Sequence, residues 1–154
     1  MTREKIDRLI NQIQKLMYGL NYEVTLGIEI LEDCVSFEDI NYVIKMKFPK
    51  TTIESITFIP VTEQDFWDDI NEKFDYRGDG IGSYLKLTTE KETALKLKQN
   101  DLRKFISKYI IKDTNIYSYP FLEGIPGYPV YWEYSFVLLN PSGNSLFIYG
   151  SSSD

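Results

Sequence analysis

Apolar residues recur at helical spacing from the start of the chain: Ile6, Leu9, Ile10, Ile13, Leu16, Met17 and Leu20. That period predicts an amphipathic helix of about five turns, docked on a sheet. Thr2 is placed to cap it, and Gly19 with Asn21 marks its end. The period then changes to two. Val24, Leu26, Ile28 and Ile30 predict a first strand, and Tyr42, Ile44, Met46 and Phe48, alternating with Val43, Lys45 and Lys47, predict a second. A third is expected from about Ile53 to Ile59, with Pro60 ending it; residues 32–39 read as a loop or irregular strand.

Thr62 opens a helix with Asp65 three residues on, and Phe66, Trp67, Ile70 and Phe74 form its apolar side. Residues 75–82 are a glycine-rich turn, and Ser83–Thr88 a short strand. Thr89 with Glu92 makes a capping box for a helix to about Lys98. Asn100 or Asp101 recaps the chain for a second helix, with Leu102, Phe105, Ile106, Tyr109 and Ile110 inward. Tyr117–Pro129, rich in Pro, Gly and aromatics, reads as an ordered loop. A hairpin closes the chain: Val130, Trp132, Tyr134, Phe136 and Leu138 share one strand face, Asn140–Asn144 turns, and Ser145–Tyr149 returns. No repeat or linker divides the sequence. The order predicts a single α+β domain over residues 1–154, with a mostly antiparallel sheet of five to six strands and helices on one face.

Composition narrows the chemistry. The 154 residues are 43% hydrophobic, 15% aromatic and 26% charged, a core-forming balance that excludes a disordered chain. There is no His, which excludes Ser-His-Asp and Cys-His catalysis and imidazole-ligated zinc. Cys34 is alone, among Glu32, Asp33 and Glu38, whose charge raises a thiol pKa and disfavours a catalytic thiolate. A lone thiol and no apolar run of about 20 residues suggest a cytoplasmic protein. The formal charge of −6 disfavours nucleic acid and anionic lipid as partners and suits a basic protein.

The negative charge is concentrated. Residues 63–76 carry six carboxylates against Lys73, whereas residues 84–112 carry eight basic residues against three acidic ones. Asp65, Asp68, Asp69 and Glu72 stand at i, i+3, i+4 and i+7 and share a helix face. Three readings are open: a solvated face paired internally with the basic helices, a docking surface for a basic protein, or a divalent-metal site of a hydrolase. Asp75-Tyr76-Arg77-Gly78-Asp79-Gly80 resembles the start of a calcium loop, but Arg77 and Lys86 occupy the third and twelfth positions, where oxygen ligands are required. No phosphate-binding glycine motif is present and no cofactor is implied.

Aromatics crowd one region: Tyr117, Tyr119, Phe121, Tyr128, Tyr131, Trp132 and Tyr134. Alternation places Tyr131 and Trp132 on opposite strand faces, leaving tyrosines either as cover for the sheet or as interface anchors. A pocket lined by Tyr117 and Tyr128 would instead make the protein a small-molecule sensor.

The acidic helix Asp65–Glu72, the Tyr117–Trp132 segment and the closing Phe147-Ile148-Tyr149-Gly150-Ser151-Ser152-Ser153-Asp154 give the chain its character. In type, it resembles the immunity proteins that bacteria carry against their own polymorphic or contact-dependent toxins. The resemblance implies a non-enzymatic protein that neutralises a toxin by covering its active surface, and it assigns no role to individual residues. Charge and aromatic content make Asp65, Asp68, Asp69 and Glu72 the candidates for steering a basic partner, and Trp67, Tyr128 and Tyr131 the candidate anchors.

Overall fold

The computed structural model describes residues 2–53 and 56–154. Among these residues four helices and five strands follow in the order α1 (Arg3–Leu16), β1 (Glu23–Glu32), α2 (Phe37–Lys47), β2 (Ile59–Val61), α3 (Glu63–Asp75), α4 (Thr89–Ser107), β3 (Asn115–Ser118), β4 (Trp132–Leu139) and β5 (Asn144–Ser153). The strands form one open antiparallel sheet, ordered β1-β5-β4-β3-β2. The class is α+β, as the order of elements predicts. Among the described residues no helix is long and apolar enough to cross a membrane.

The closing hairpin supplies the centre of the sheet. β5 pairs along its whole length with β1 and, from Leu146 to Ser152, with β4. One face of the sheet buries Val24, Leu26 and Ile28 of β1, Trp132, Tyr134, Phe136 and Leu138 of β4, and Leu146 and Ile148 of β5. Helices α1, α3 and α4 cover it through Ile6, Ile13, Phe66, Ile70, Phe74, Leu95, Leu102 and Phe105. The other face buries Leu31, Val137, Phe147 and Tyr149 under α2 and under Tyr119 and Ile125.

That second face corrects two expectations. Residues 42–48 are not a strand, and the helices do not all lie on one side. Ser36 and Asp39 form a reciprocal capping box: the Ser36 hydroxyl accepts from the Asp39 amide at 3.2 Å, and Asp39 Oδ2 accepts from the Ser36 amide at 3.0 Å. Ile40 and Ile44, one turn apart, then point inward, while Tyr42 and Met46 stay exposed. The alternation of 42–48 is a coincidence of spacing that the helix start overrides.

Other boundaries move. Leu20 lies beyond the end of α1, which stops at Leu16. The third strand is reduced to Ile59–Val61, with Pro60 inside it; residues 54 and 55 lie outside the described residues. Ser83–Thr88 contributes only bridges from Tyr84 to Leu20 and Gly78. Helix α4 runs unbroken through Asn100 and Asp101 and is capped by Thr88, one residue before the expected start. Residues 115–118 form β3, which takes Tyr117 and Ser118 from the segment read as loop.

The two outer strands are closed off by different means. On β1, Gln14 Oε1 accepts from the Leu26 amide at 2.8 Å, and the buried Glu29 carboxylate receives Arg3 at 3.1 Å and Lys47 at 2.7 Å. On the other side β2 has three residues, one of them proline.

Candidate functional site

Helix α3 is set by its cap and its apolar stripe. The Thr62 hydroxyl accepts from the Asp65 amide at 3.0 Å and donates to Asp65 Oδ2 at 2.7 Å. Phe66, Ile70 and Phe74 are fully buried, and Phe66 meets Phe136 of β4 edge-on, with ring centres 5.0 Å apart. This fixes the rotation of the helix and divides its four carboxylates. Asp65 and Asp69, one turn apart, line a cleft beside the sheet, and Asp68 and Glu72 lie outside it.

The cleft is an open space of about 430 Å³ where β3 peels away from β4. The last contact between those strands is the bond from the Tyr119 amide to the Ser135 carbonyl at 2.8 Å, beyond the register pair Ser118–Phe136. The remainder of the β4 edge has no neighbouring strand, and the cleft occupies that gap. Its walls are Val61, Asp65 and Asp69 on one side, Ser118–Phe121 on another, and Glu133–Phe136 on β4. Three carboxylates and four aromatic residues therefore line the space, and among the described residues no Lys or Arg does. Gly150 makes room for one wall: a Cβ there would sit 2.6 Å from the Tyr134 ring.

Charge at the site is only partly compensated. Lys73 Nζ lies 2.9 Å from Asp69 Oδ1 and 3.3 Å from Glu72 Oε1. Partial burial disfavours its ammonium, but the hydrogen bonds and charges of Asp69 and Glu72 outweigh this and raise its pKa. Among the described residues, Lys73 is the only cation within ion-pair distance of the four carboxylates. The basic helix α4 does not neutralise them; its Arg103 bonds Asn71 at 2.9 Å and lies over the Phe74 ring. Asp68 accepts a hydrogen bond from Gln64 at 2.8 Å, and Glu72 is exposed. On β4, the buried Tyr134 phenol has its pKa pushed up by desolvation, then by the charges of Asp69 and Tyr149. The Ser135 hydroxyl is buried with no hydrogen-bond partner among the described residues.

The expected aromatic anchors do not converge. Trp67 is half-buried against Phe66, at 4.8 Å, with its indole N–H donating to Glu63 at 3.3 Å. Tyr131 packs with Tyr22 and with Tyr76, the C-cap of α3, at 6.0 and 6.1 Å. Tyr128 is exposed in the loop before β4. Nor do Tyr117 and Tyr128 form the sensor pocket: Tyr117 packs against Phe37 and Phe58. The aromatic cleft is lined instead by Tyr119, Phe121, Tyr134 and Phe136. Sequence reasoning grouped Tyr119, Phe121 and Tyr134 with the other crowded aromatics and missed Phe136 and Glu133 as their neighbours. The available signal was Glu133 itself, a lone carboxylate between Trp132 and Tyr134.

The remaining motifs are structural. Asp79 Oδ1 accepts from the amides of Ile81, Gly82 and Ser83 at 2.9 to 3.1 Å, and these bonds hold its carboxyl below the usual range. The calcium-like loop is thus closed by its own backbone, while Arg77 ties the end of α3 to Glu92 of α4 at 2.8 Å. Cys34 is buried, and desolvation, followed by Asp39 and Asp33, pushes its thiol pKa up. No group of three or more His, Cys, Asp or Glu among the described residues is placed to hold a metal ion. No protein-family model matches the chain, and no curated protein matches it in sequence.

Proposed function

We propose that this protein is a non-enzymatic binding protein that captures a basic protein in the cytoplasm and neutralises it by covering its surface, as bacterial immunity proteins do to their toxins. The observation that carries this reading is the cleft beside α3, lined by Asp65, Asp69 and Glu133, of which Asp69 alone is paired, with Lys73, among the described residues. Asp68 and Glu72 extend the negative field outside it. Fields of one sign steer an oppositely charged partner and act chiefly on the rate of encounter. The apolar walls supply the desolvated contact that charge alone lacks.

The test is capture of a basic protein from the native host, followed by association kinetics at low and high salt. The expected result is an association rate that falls steeply with salt and drops several-fold in the Asp68→Asn/Glu72→Gln variant. A rate insensitive to both salt and these substitutions overturns the proposal.

A second reading draws on the same cleft. Its volume lies within the roughly 300–1,000 Å³ of small-ligand sites, and four aromatic residues line it. A small-molecule sensor would bind a free cation there, with no protein partner.

A further inference from the structure

We infer that the open stretch of the β4 edge takes an extended segment of the basic partner as an added strand, with adjacent basic residues of that segment straddling the edge. This rests on the binding-protein reading and names the contact by which the partner is held.

The main chain carries the inference. In an antiparallel pair every second residue turns its N–H and C=O toward the same neighbour. The Tyr119 amide bonds the Ser135 carbonyl at 2.8 Å, so Ser135 and, two residues away, Glu133 present their main-chain groups on the β3 side of β4. There β3 has already ended, its last register pair being Ser118 with Phe136. Among the described residues the Ser135 amide makes no bond back to Tyr119, although Ser135 is 5% exposed. The chain leaves the edge after Tyr119: Pro120 has no N–H to offer, Ile125 is buried on the far face of the sheet, and Gly127 approaches Ser151. Glu133, which is exposed, therefore has an amide and a carbonyl with no strand beside them. A strand edge in this state is a template for another extended chain.

Charge names the occupant. Successive residues of a strand point to opposite faces. Tyr134 points to the α3 side, where Asp65 and Asp69 line the cleft, and Glu133 points to the other side. The carboxylates thus flank the edge instead of surrounding one point. Tyr134 and Phe136 are each 6% exposed, so their rings offer little surface to a single inserted side chain. An extended main chain laid along the edge sends consecutive side chains to both sides. Its residue opposite Glu133 exchanges both main-chain bonds with it and sets a cation beside that carboxylate. The adjacent residue turns toward α3 and sets a second cation by Asp69 and Asp65. Open space borders Glu133 in both directions along the edge, on one side toward Phe136 and on the other toward Pro129.

The experiment titrates the ¹⁵N-labelled full chain with the peptide Ac-Thr-Val-Lys-Arg-Val-Thr-amide. One comparison peptide carries N-methyl groups on its Lys and Arg, which keeps both charges and removes the main-chain donors. The other, Ac-Thr-Val-Gln-Gln-Val-Thr-amide, keeps the main chain and removes the charges. The parent peptide is expected to give saturable shifts and slower hydrogen exchange at the Glu133 and Ser135 amides. Each comparison peptide is expected to bind about fivefold more weakly or less. Glu133→Pro removes the edge N–H at a position that gives no ladder bond to β5, and it is expected to abolish the exchange protection at Ser135. If that variant fails to fold, the N-methylated peptide makes the same test on the unaltered chain. The inference is overturned if the parent peptide gives no saturable shift at these amides, or if either comparison peptide binds as tightly as the parent.

Capture of the partner separates this result from the broader reading. A basic protein from the native host held equally well by the unaltered chain and by Glu133→Pro removes the added strand and leaves the binding-protein reading standing. Peptide binding that depends on main-chain donors, without capture of any basic protein, does the reverse.

Discussion

The two faces of the sheet are covered in different ways. On one, α1, α3 and α4 lay continuous apolar stripes across β1, β4 and β5, and aliphatic and aromatic side chains interlock over the width of the sheet. On the other, the 11-residue α2 and irregular segments carrying Tyr119 and Ile125 do the same work with a smaller cluster. The first face joins this wide burial to hydrogen bonds such as that from the buried Gln99 amide to the Phe74 carbonyl at 3.2 Å. The second depends more on local hydrogen bonding, because a helix this short gains little from its own propagation. Its start is fixed by Ser36 and Asp39, and without that fixed start the residues that follow would satisfy a strand equally well.

The largest difference should come from Phe66→Ala. Phe66 is fully buried between Trp67 and Phe136, and its removal leaves a cavity under α3 at the cleft wall. A loss of about 3–5 kcal/mol is expected, read as a lower urea midpoint at unchanged slope. On the opposite face, Ser36→Ala removes one half of the capping box and should cost about 1 kcal/mol. Hydrogen exchange should then speed up in the first turn of α2 and stay unchanged in α4; equal acceleration in both would show that the two faces open as one unit.

The smallest effect is on acid stability. Bonds from the Ser36 hydroxyl and the Val35 and Ser36 amides hold the Asp39 carboxyl below its usual pKa. A depressed folded pKa contributes stability that is present above the unfolded value and lost as pH falls through the folded one. Thermal melts from about pH 5 to about pH 3 should therefore show a shallower acid decline in Asp39→Asn than in the unaltered chain. Parallel declines would remove Asp39 from the account of α2.

Sequence reading succeeded where one period dominates. Ile6, Leu9, Ile10 and Ile13 placed α1, Thr62 with Phe66, Ile70 and Phe74 placed α3, and the Asn140–Asn144 turn placed the hairpin. It failed where two local signals compete. Asn100 and Asp101 are good cap residues, but Leu95, Gln99, Leu102 and Phe105 keep one buried face through them, so α4 continues. Asn100 instead accepts from Arg103 at 2.9 Å, and Asp101 lies 3.8 Å from Lys104. The site was legible only in part. The carboxylates of α3 stood out as a charge pattern, but the division between Asp65/Asp69 and Asp68/Glu72 follows from the rotation that Phe66 imposes against Phe136. Glu133 lines the same cleft because β3 ends at Ser118, a placement that exists only in three dimensions.

The treatment of the outer strands has a consequence for how the molecule behaves in company. A sheet edge with free amides is a template on which another chain can polymerise. Here Gln14 occupies an amide of β1 and the ion-paired Glu29 sits at mid-strand, while Pro60 interrupts β2. Neither outer strand therefore offers a second molecule an uninterrupted ladder.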